Sequence, residues 1–301
     1  MEIYDCIIVG GGPAGLNAAV VLGRSLRKVL VFDKGEQRNR SSHGMHNFLT
    51  RDGILPLDFI EKAHREIAKY NVELKEMKII KASKNKNDLF EVKDELNNIY
   101  FTKKLLIATG LKDTLPDING INDLYGKSVF HCPYCDGWEV AGKKIGVYAK
   151  NKNGFDLSLA LKAWSDDVTL FTDGKRSVKP NQLTILKDNQ IPVITSPILR
   201  FEGNKGQLKK VVFRDGTDYV LDALFFVNGY TQQCNLAETF GCEVSKKGVV
   251  VTNKFQQTKI KGLFVAGDAD KDMHFVVVAA AEGAKAGVVI NKELISESIK
   301  S

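Results

Sequence analysis

The chain has 301 residues, 44% of them apolar, with 43 basic against 36 acidic side chains and a formal charge of +7. That length exceeds the usual single domain, so two domains and a sizeable core are expected. The excess charge sits on scattered lysines with neither a basic helix nor an aromatic-basic alternation. This argues against nucleic-acid binding and leaves open a docking face for an acidic protein partner. Five cysteines and an opening Met1-Glu2-Ile3-Tyr4-Asp5 without a basic or apolar leader region lead to the expectation of a reducing cytoplasm. No membrane segment is expected, because the apolar run 275–290 is interrupted by Glu282 and Lys285.

In chain order, the apolar run 3–9 is followed at once by Gly10-Gly11-Gly12-Pro13-Ala14-Gly15 and an amphipathic segment, 16–24. The frame Gly10-x-Gly12-x-x-Gly15 stands where a dinucleotide fingerprint requires it, between a strand and a helix. Gly10 permits the turn, Gly12 lets the backbone approach a pyrophosphate, and Gly15 lets helix and strand pack closely. The helix N-terminus offers its free N–H groups to the phosphates. A second apolar strand, 29–32, ends in Asp33, the acid expected on the ribose hydroxyls. Residues 34–53 are polar, with Gln37, Arg38, Asn39, His43, His46 and Asn47, and read either as a surface loop or as a flavin-contacting one. Residues 57–70 have helical spacing behind Pro56, and 72–80, 89–93 and 99–101 read as short strands of a meander. A buried strand, 105–108, ends at Thr109-Gly110, where the chain leaves its first domain.

The segment His131-Cys132-Pro133-Tyr134-Cys135-Asp136-Gly137-Trp138 follows. Two cysteines separated by two residues close a small disulfide ring, and such a pair near a helix start carries a reactive thiolate. Half of a zinc site and a chance spacing of two core residues are the competing readings. Cys6, Cys234 and Cys242 form no second such pair and no His-x3-5-His lies downstream, so a redox pair is expected and a metal site is not.

A second βαβ unit is expected from strand 144–149, helix 155–164 and strand 168–171. Its fingerprint frame reads Ala149-x-Asn151-x-x-Gly154, in which a side chain crowds the pyrophosphate position. Lys150, Lys152 and the pair Lys175-Arg176 are the cations within reach. The unit closes through strands 208–213 and 221–227. Short strands 249–252 and 263–266 then deliver Gly267-Asp268, ahead of a long helix, 275–295, whose N-terminus points to the same place.

Taken in order, Gly10-Gly11-Gly12-Pro13-Ala14-Gly15, Ala108-Thr109-Gly110, Cys132-Pro133-Tyr134-Cys135-Asp136-Gly137 and Leu263-Phe264-Val265-Ala266-Gly267-Asp268 resemble the low-molecular-weight thioredoxin reductase family of FAD-dependent disulfide oxidoreductases. The resemblance implies an α/β fold of two nucleotide-binding, Rossmann-like, three-layer ββα domains, the second inserted into the first. An FAD domain would comprise 1–115 and 249–301, and 116–248 would carry the redox pair. Carried over by motif, Gly10, Gly12, Pro13, Ala14 and Gly15 would hold the FAD pyrophosphate and Asp33 the adenosine ribose. Gln37 and Asn47 fall where the family has flavin-contacting amides, and Thr109 and Gly110 close the strand beside them. Gly267 and Asp268 would meet the ribityl-pyrophosphate portion, with the backbone of Phe275 and Val276 at the pyrimidine edge. Cys135 would face the flavin, Cys132 would exchange with substrate through a mixed disulfide, and Asp136 or His131 would move the proton. A homodimer is also implied.

The family's intact NADPH fingerprint and its His-Arg-Arg cluster are not matched by 149–154 or 172–176, and its Arg-Gln pair before the last helix reads His274-Phe275 here. Ordinary NADPH use is therefore not expected, and ferredoxin or flavodoxin becomes the candidate donor, as in one branch of the family. The chain is also similar to the branch of dithiol oxidases, through Asp33-x-Gly35-x-x-Arg38-Asn39, Met45-His46, Arg51-Asp52-Gly53 and 131–139. A histidine often follows the second cysteine in that branch, where this chain has Asp136. Three functions follow: a reductase acting on a small redox protein or low-molecular-weight disulfide, an oxygen-dependent dithiol oxidase, and a non-catalytic flavoprotein redox sensor.

Overall fold

Alternation along the first strand sets the architecture. In β1 (Ile3–Val9), Cys6 and Ile8 enter one apolar cluster while Ile7 and Val9 enter another, so both faces of the strand are covered. The computed structural model describes residues 2–271 and 273–299. The chain packs into two units, one made of Met1–Arg40, Asn47–Lys112 and Tyr230–Ser301, the other of Ser41–His46 and Asp113–Gly229. The architecture is α/β, with two Rossmann-like units and the second inserted into the first.

In the first unit β1 leads into α1 (Pro13–Arg24), β2 (Val29–Asp33), α2 (Pro56–Ile67), β3 (Val72–Glu76), β4 (Ile79–Lys84), β5 (Phe90–Asp94) and β6 (Ile99–Ile107). The sheet runs β3-β2-β1-β6-β5-β4, and the late strand Leu263–Val265 pairs in parallel with the second half of β6. Strands β3, β2, β1 and β6 are parallel, whereas β4 and β5 return as an antiparallel hairpin. The C-terminal helix, Val276–Ile299, buries its small-residue face with α1 in the cluster that holds Ala14, Ala18, Ala279 and Ala286.

Two expectations are corrected here. Residues 72–80 are not one meander strand: Val72–Glu76 lies parallel to β2, the Met77 N–H donates the last bond of that ladder to the Asp33 carbonyl at 2.9 Å, and β4 lies at the opposite edge of the sheet. Residues 249–252 form no strand, because Val250 makes only an isolated bridge to Val244 and its N–H is taken by the Ala269 carbonyl.

In the second unit Val193–Ile194, Val168–Phe171, Ile145–Tyr148, Ala223–Phe226 and Val129–Phe130 form a five-stranded parallel sheet in that order. The segment Gln207–Phe213 does not close this sheet; it is the middle of a separate three-stranded antiparallel one with Ile198–Asn204 and Asp218–Val220. Among the described residues no helix is long and apolar enough to cross a membrane.

Candidate functional site

The first unit places its fingerprint at the C-terminal ends of neighbouring parallel strands, the usual ligand edge of such a sheet. Gly10 follows β1 with φ +113°, and a Cβ there would stand 2.3 Å from the Ala108 carbonyl oxygen. A Cβ on Gly15 would lie 1.9 Å from the Gly10 oxygen, so the turn and the helix start lock together only without side chains. Gly12 differs. It precedes α1 in an ordinary extended conformation, no side chain caps the helix, and a Cβ on it would meet nothing within 4 Å. Pro13 opens the helix and Ala14 is buried beneath it, leaving the helix N–H groups facing open space.

Asp33 ends β2, and its Oδ2 accepts from Gln37 Nε2 at 2.8 Å. Thr109 and Gly110 follow β6, where the Cys234 thiol donates to Thr109 Oγ1 at 3.4 Å and a Cβ on Gly110 would again meet nothing within 4 Å. Asn47 has φ +63°, and its N–H donates to Asp52 Oδ1 at 2.9 Å. Gly267 turns with φ +81°, and Asp268 Oδ2 pairs with Arg38 Nη1 at 3.0 Å. Phe275 caps the start of the C-terminal helix by accepting the Ala279 N–H at 2.9 Å, with Val276 as its first residue. Open space over Gly12, uncapped helix donors and a strand-end carboxylate suit a dinucleotide such as FAD.

In the second unit Cys132 and Cys135 are joined in a disulfide with their Cα atoms 5.3 Å apart. Pro133 starts the short helix Pro133–Asp136, and the Cys135 and Asp136 N–H groups both bond the Cys132 carbonyl at 3.2 Å. Gly137 is dictated by crowding, because a Cβ would stand 2.5 Å from the Pro133 oxygen and 2.8 Å from the Trp164 ring nitrogen. Tyr134 and Trp138 are exposed on this segment.

Burial pushes the Asp136 carboxyl up to about 7; the Glu139 charge adds to this, and His46 works in the opposite sense. His46 Nε2 is itself 3.3 Å from Glu139 Oε1. On the other side of the pair, His131 Nδ1 lies 3.8 Å from Asp113 Oδ2, a carboxylate that also accepts the Tyr125 hydroxyl. Neither Asp113 nor Tyr125 was expected from the sequence, since no local spacing ties them to His131. Likewise the sequence places Arg38 in the polar loop and in the motif shared with the dithiol oxidases, but nothing local ties it to Asp268. Among the described residues no cluster of metal ligands occurs.

The nucleotide-type edge of the second unit is arranged differently from the first. Lys150 Nζ is 2.6 Å from Asp173 Oδ2, Tyr148 donates to the same oxygen at 3.2 Å, and the Ile198 N–H donates to Oδ1 at 2.7 Å. Burial disfavours ionisation of Asp173, but Lys150 and these donors outweigh it and hold the carboxyl below its ordinary range. Lys150, one of the cations near this edge, is thus bound to the strand-end acid.

Comparison with known proteins agrees with this architecture. A family model described as pyridine nucleotide-disulphide oxidoreductase matches residues 4–283. A probable thioredoxin reductase of Arthroderma benhamiae is 32% identical over 98% of this chain and 81% of its own length. The thioredoxin reductase tcpT of Claviceps purpurea is 32% identical over 98% of this chain and 96% of its own. A crystal structure of a Bacillus anthracis protein assigned as thioredoxin reductase TrxB superposes with a TM-score of 0.94 at 34% identity, covering 98% of this chain and 99% of that one.

Proposed function

Because the chain belongs to the pyridine nucleotide-disulphide oxidoreductase family and is a thioredoxin reductase-like flavoenzyme with FAD as its cofactor, we propose that it moves electron pairs between FAD and a substrate disulfide through Cys132–Cys135 without ordinary NADPH use. The observation that supports the last clause is the Lys150–Asp173–Tyr148 network, which engages the strand-end acid and one of the cations near the eroded 149–154 frame. FAD, when bound, supplies a two-electron store for the cysteine pair. It would be held by Gly10, Gly12, Pro13, Ala14, Gly15, Asp33, Gln37, Asn47, Thr109, Gly110, Gly267, Asp268, Phe275 and Val276.

With the pair reduced, the Cys132 thiolate attacks one sulfur of the substrate disulfide and forms a mixed disulfide, and the other substrate sulfur leaves as a thiolate. Asp136 gives that thiolate its proton. Cys135 then attacks Cys132 Sγ, re-forming the Cys132–Cys135 bond and expelling the second substrate thiolate. His131, backed by Asp113 and Tyr125, supplies positive charge beside the Cys132 thiolate when protonated. The exposed Tyr134 and Trp138 suit a small redox protein or a low-molecular-weight thiol as the exchanging partner. The family resemblance supports a homodimer, which sedimentation checks, working in a reducing cytoplasm.

Anaerobic titration tests the donor. NADPH is expected to leave the flavin yellow, and reduced ferredoxin or flavodoxin to bleach it; rapid bleaching by NADPH would sink this reading. Bleaching by a small dithiol with reoxidation in air would favour the dithiol oxidase, which the same nucleotide-edge network also suits. Bleaching by no donor at all would favour the sensor.

The pH dependence separates the two catalytic directions. Asp136 is protonated below about 7, so disulfide reduction is expected to slow as pH rises through 7, whereas dithiol oxidation, which needs a base, speeds up. Asp136→Asn should flatten either profile and lower turnover about a hundredfold. A steep, unchanged profile in the variant would remove Asp136 from the proton path.

A further inference from the structure

Beneath the Gly267–Asp268 turn lies a second pair of acids that the redox chemistry does not use. Glu282, on the C-terminal helix, is buried, and its Oε2 accepts the Gly267 N–H at 3.0 Å. The Asp270 side chain is fully buried in the same place. Its Oδ2 accepts from Thr252 Oγ1 at 2.6 Å and from Lys271 Nζ at 2.9 Å, but no donor among the described residues reaches its Oδ1. The Glu282 carboxyl lies close enough to this carboxylate for the two charges to interact. Its Oε1 is 3.8 Å from Lys271 Nζ, too far for a bond.

A buried carboxylate oxygen without a donor is costly, and two ionised carboxylates in contact are more so. One proton on Glu282 removes both penalties. We propose that Glu282 is a positioning residue kept protonated: it donates to Asp270, accepts from Gly267, and so fixes the turn from which Asp268 reaches FAD. The inference rests on Asp268 belonging to the FAD site.

The charge balance agrees with the geometry. Burial, reinforced by the Asp270 charge, pushes the Glu282 carboxyl up to about 7. The other groups facing the cluster are Lys271, which pairs with Asp270, and His274, whose Nε2 bonds the Lys271 carbonyl at 2.9 Å. Asp268 is occupied by Arg38. Since the folded-state value lies above the ordinary one, the folded form binds the extra proton, and this group's contribution to stability declines as pH rises from about 4.5 to about 7.

The test uses the full-length protein with Glu282→Gln, whose amide can both donate to Asp270 and accept from Gly267, and Glu282→Leu, which can do neither. Glu282→Gln is expected to keep FAD, to lose an infrared band of a protonated carboxyl that the unsubstituted protein shows at pH 6, and to lose part of the decline in melting temperature between pH 5 and 7.5. Glu282→Leu is expected to weaken FAD binding about tenfold or more. An unchanged infrared spectrum and pH slope in Glu282→Gln, or FAD held as tightly by Glu282→Leu, would overturn the proposal. Should Glu282→Leu fail to fold, the spectrum and the pH slope still decide. Both can be read on FAD-free protein, so a failure of the FAD assignment is distinguishable from a failure of the shared proton.

Discussion

Cys135→Ser is expected to purify yellow and to lose at least about a thousandfold in disulfide or dithiol turnover. The loss is large because a serine hydroxyl cannot take the place of a sulfur that must form and break an S–S bond in every cycle, and no neighbouring group substitutes for it. The flavin should stay, because the proposed FAD residues all belong to the first unit while Cys135 belongs to the second. Cys132→Ser should be equally inactive. The two variants differ under alkylation: if Cys132 is the exchanging thiol, Cys135→Ser reacts quickly with iodoacetamide and Cys132→Ser slowly. Flavin absorbance, turnover and alkylation rate check this together. Loss of the flavin in Cys135→Ser would show that the two functions are not divided between the units as proposed.

The second large effect separates glycines that serve the fold from one that serves the ligand. Gly12→Asp introduces a side chain where a Cβ meets nothing within 4 Å, on a backbone with φ −79°. The FAD-free protein should therefore unfold within about 0.5 kcal/mol of the unsubstituted one. The added carboxylate would occupy the open space in front of the α1 donors and repel a pyrophosphate, so FAD binding should fall at least about a hundredfold. Gly15→Ala is the contrasting case. Its methyl group would overlap the Gly10 carbonyl at 1.9 Å, and the obstructing atom is backbone that cannot swing aside, so the fold itself should lose about 2–3 kcal/mol. Denaturant titration of both FAD-free variants, with FAD fluorescence as the binding measure, distinguishes them. If Gly12→Asp bound FAD normally, the cradle would not be the pyrophosphate site.

Several features were legible because their physics is local. The turn from β1 into α1 needs glycines a fixed number of residues apart, and the Cys132–Cys135 ring needs two intervening residues; both patterns can be read wherever they occur. The eroded frame 149–154 was legible for the same reason, since the requirement it fails is a local one. The break between Glu76 and Ile79 was not, because it depends on β3 pairing with β2 and β4 with β5 at opposite edges of the sheet. The strand expected at 249–252 failed similarly: Val250 is buried in the core, but its backbone finds only an isolated bridge to Val244 and no neighbouring strand.

By itself, then, the sequence determined the two nucleotide-type folds, the family, the redox pair and the set of residues proposed to hold FAD, all of which depend on short spacings that repeat the same backbone geometry. Only the tertiary structure decided how those groups are tuned. Asp113 and Tyr125 meet His131, Lys150 turns to Asp173, and Glu282 reaches Asp270 and Gly267. Each of these depends on side chains brought together by strand order and helix packing. Burial then sets their charge states, and burial is a property of the packed chain rather than of any short stretch of it.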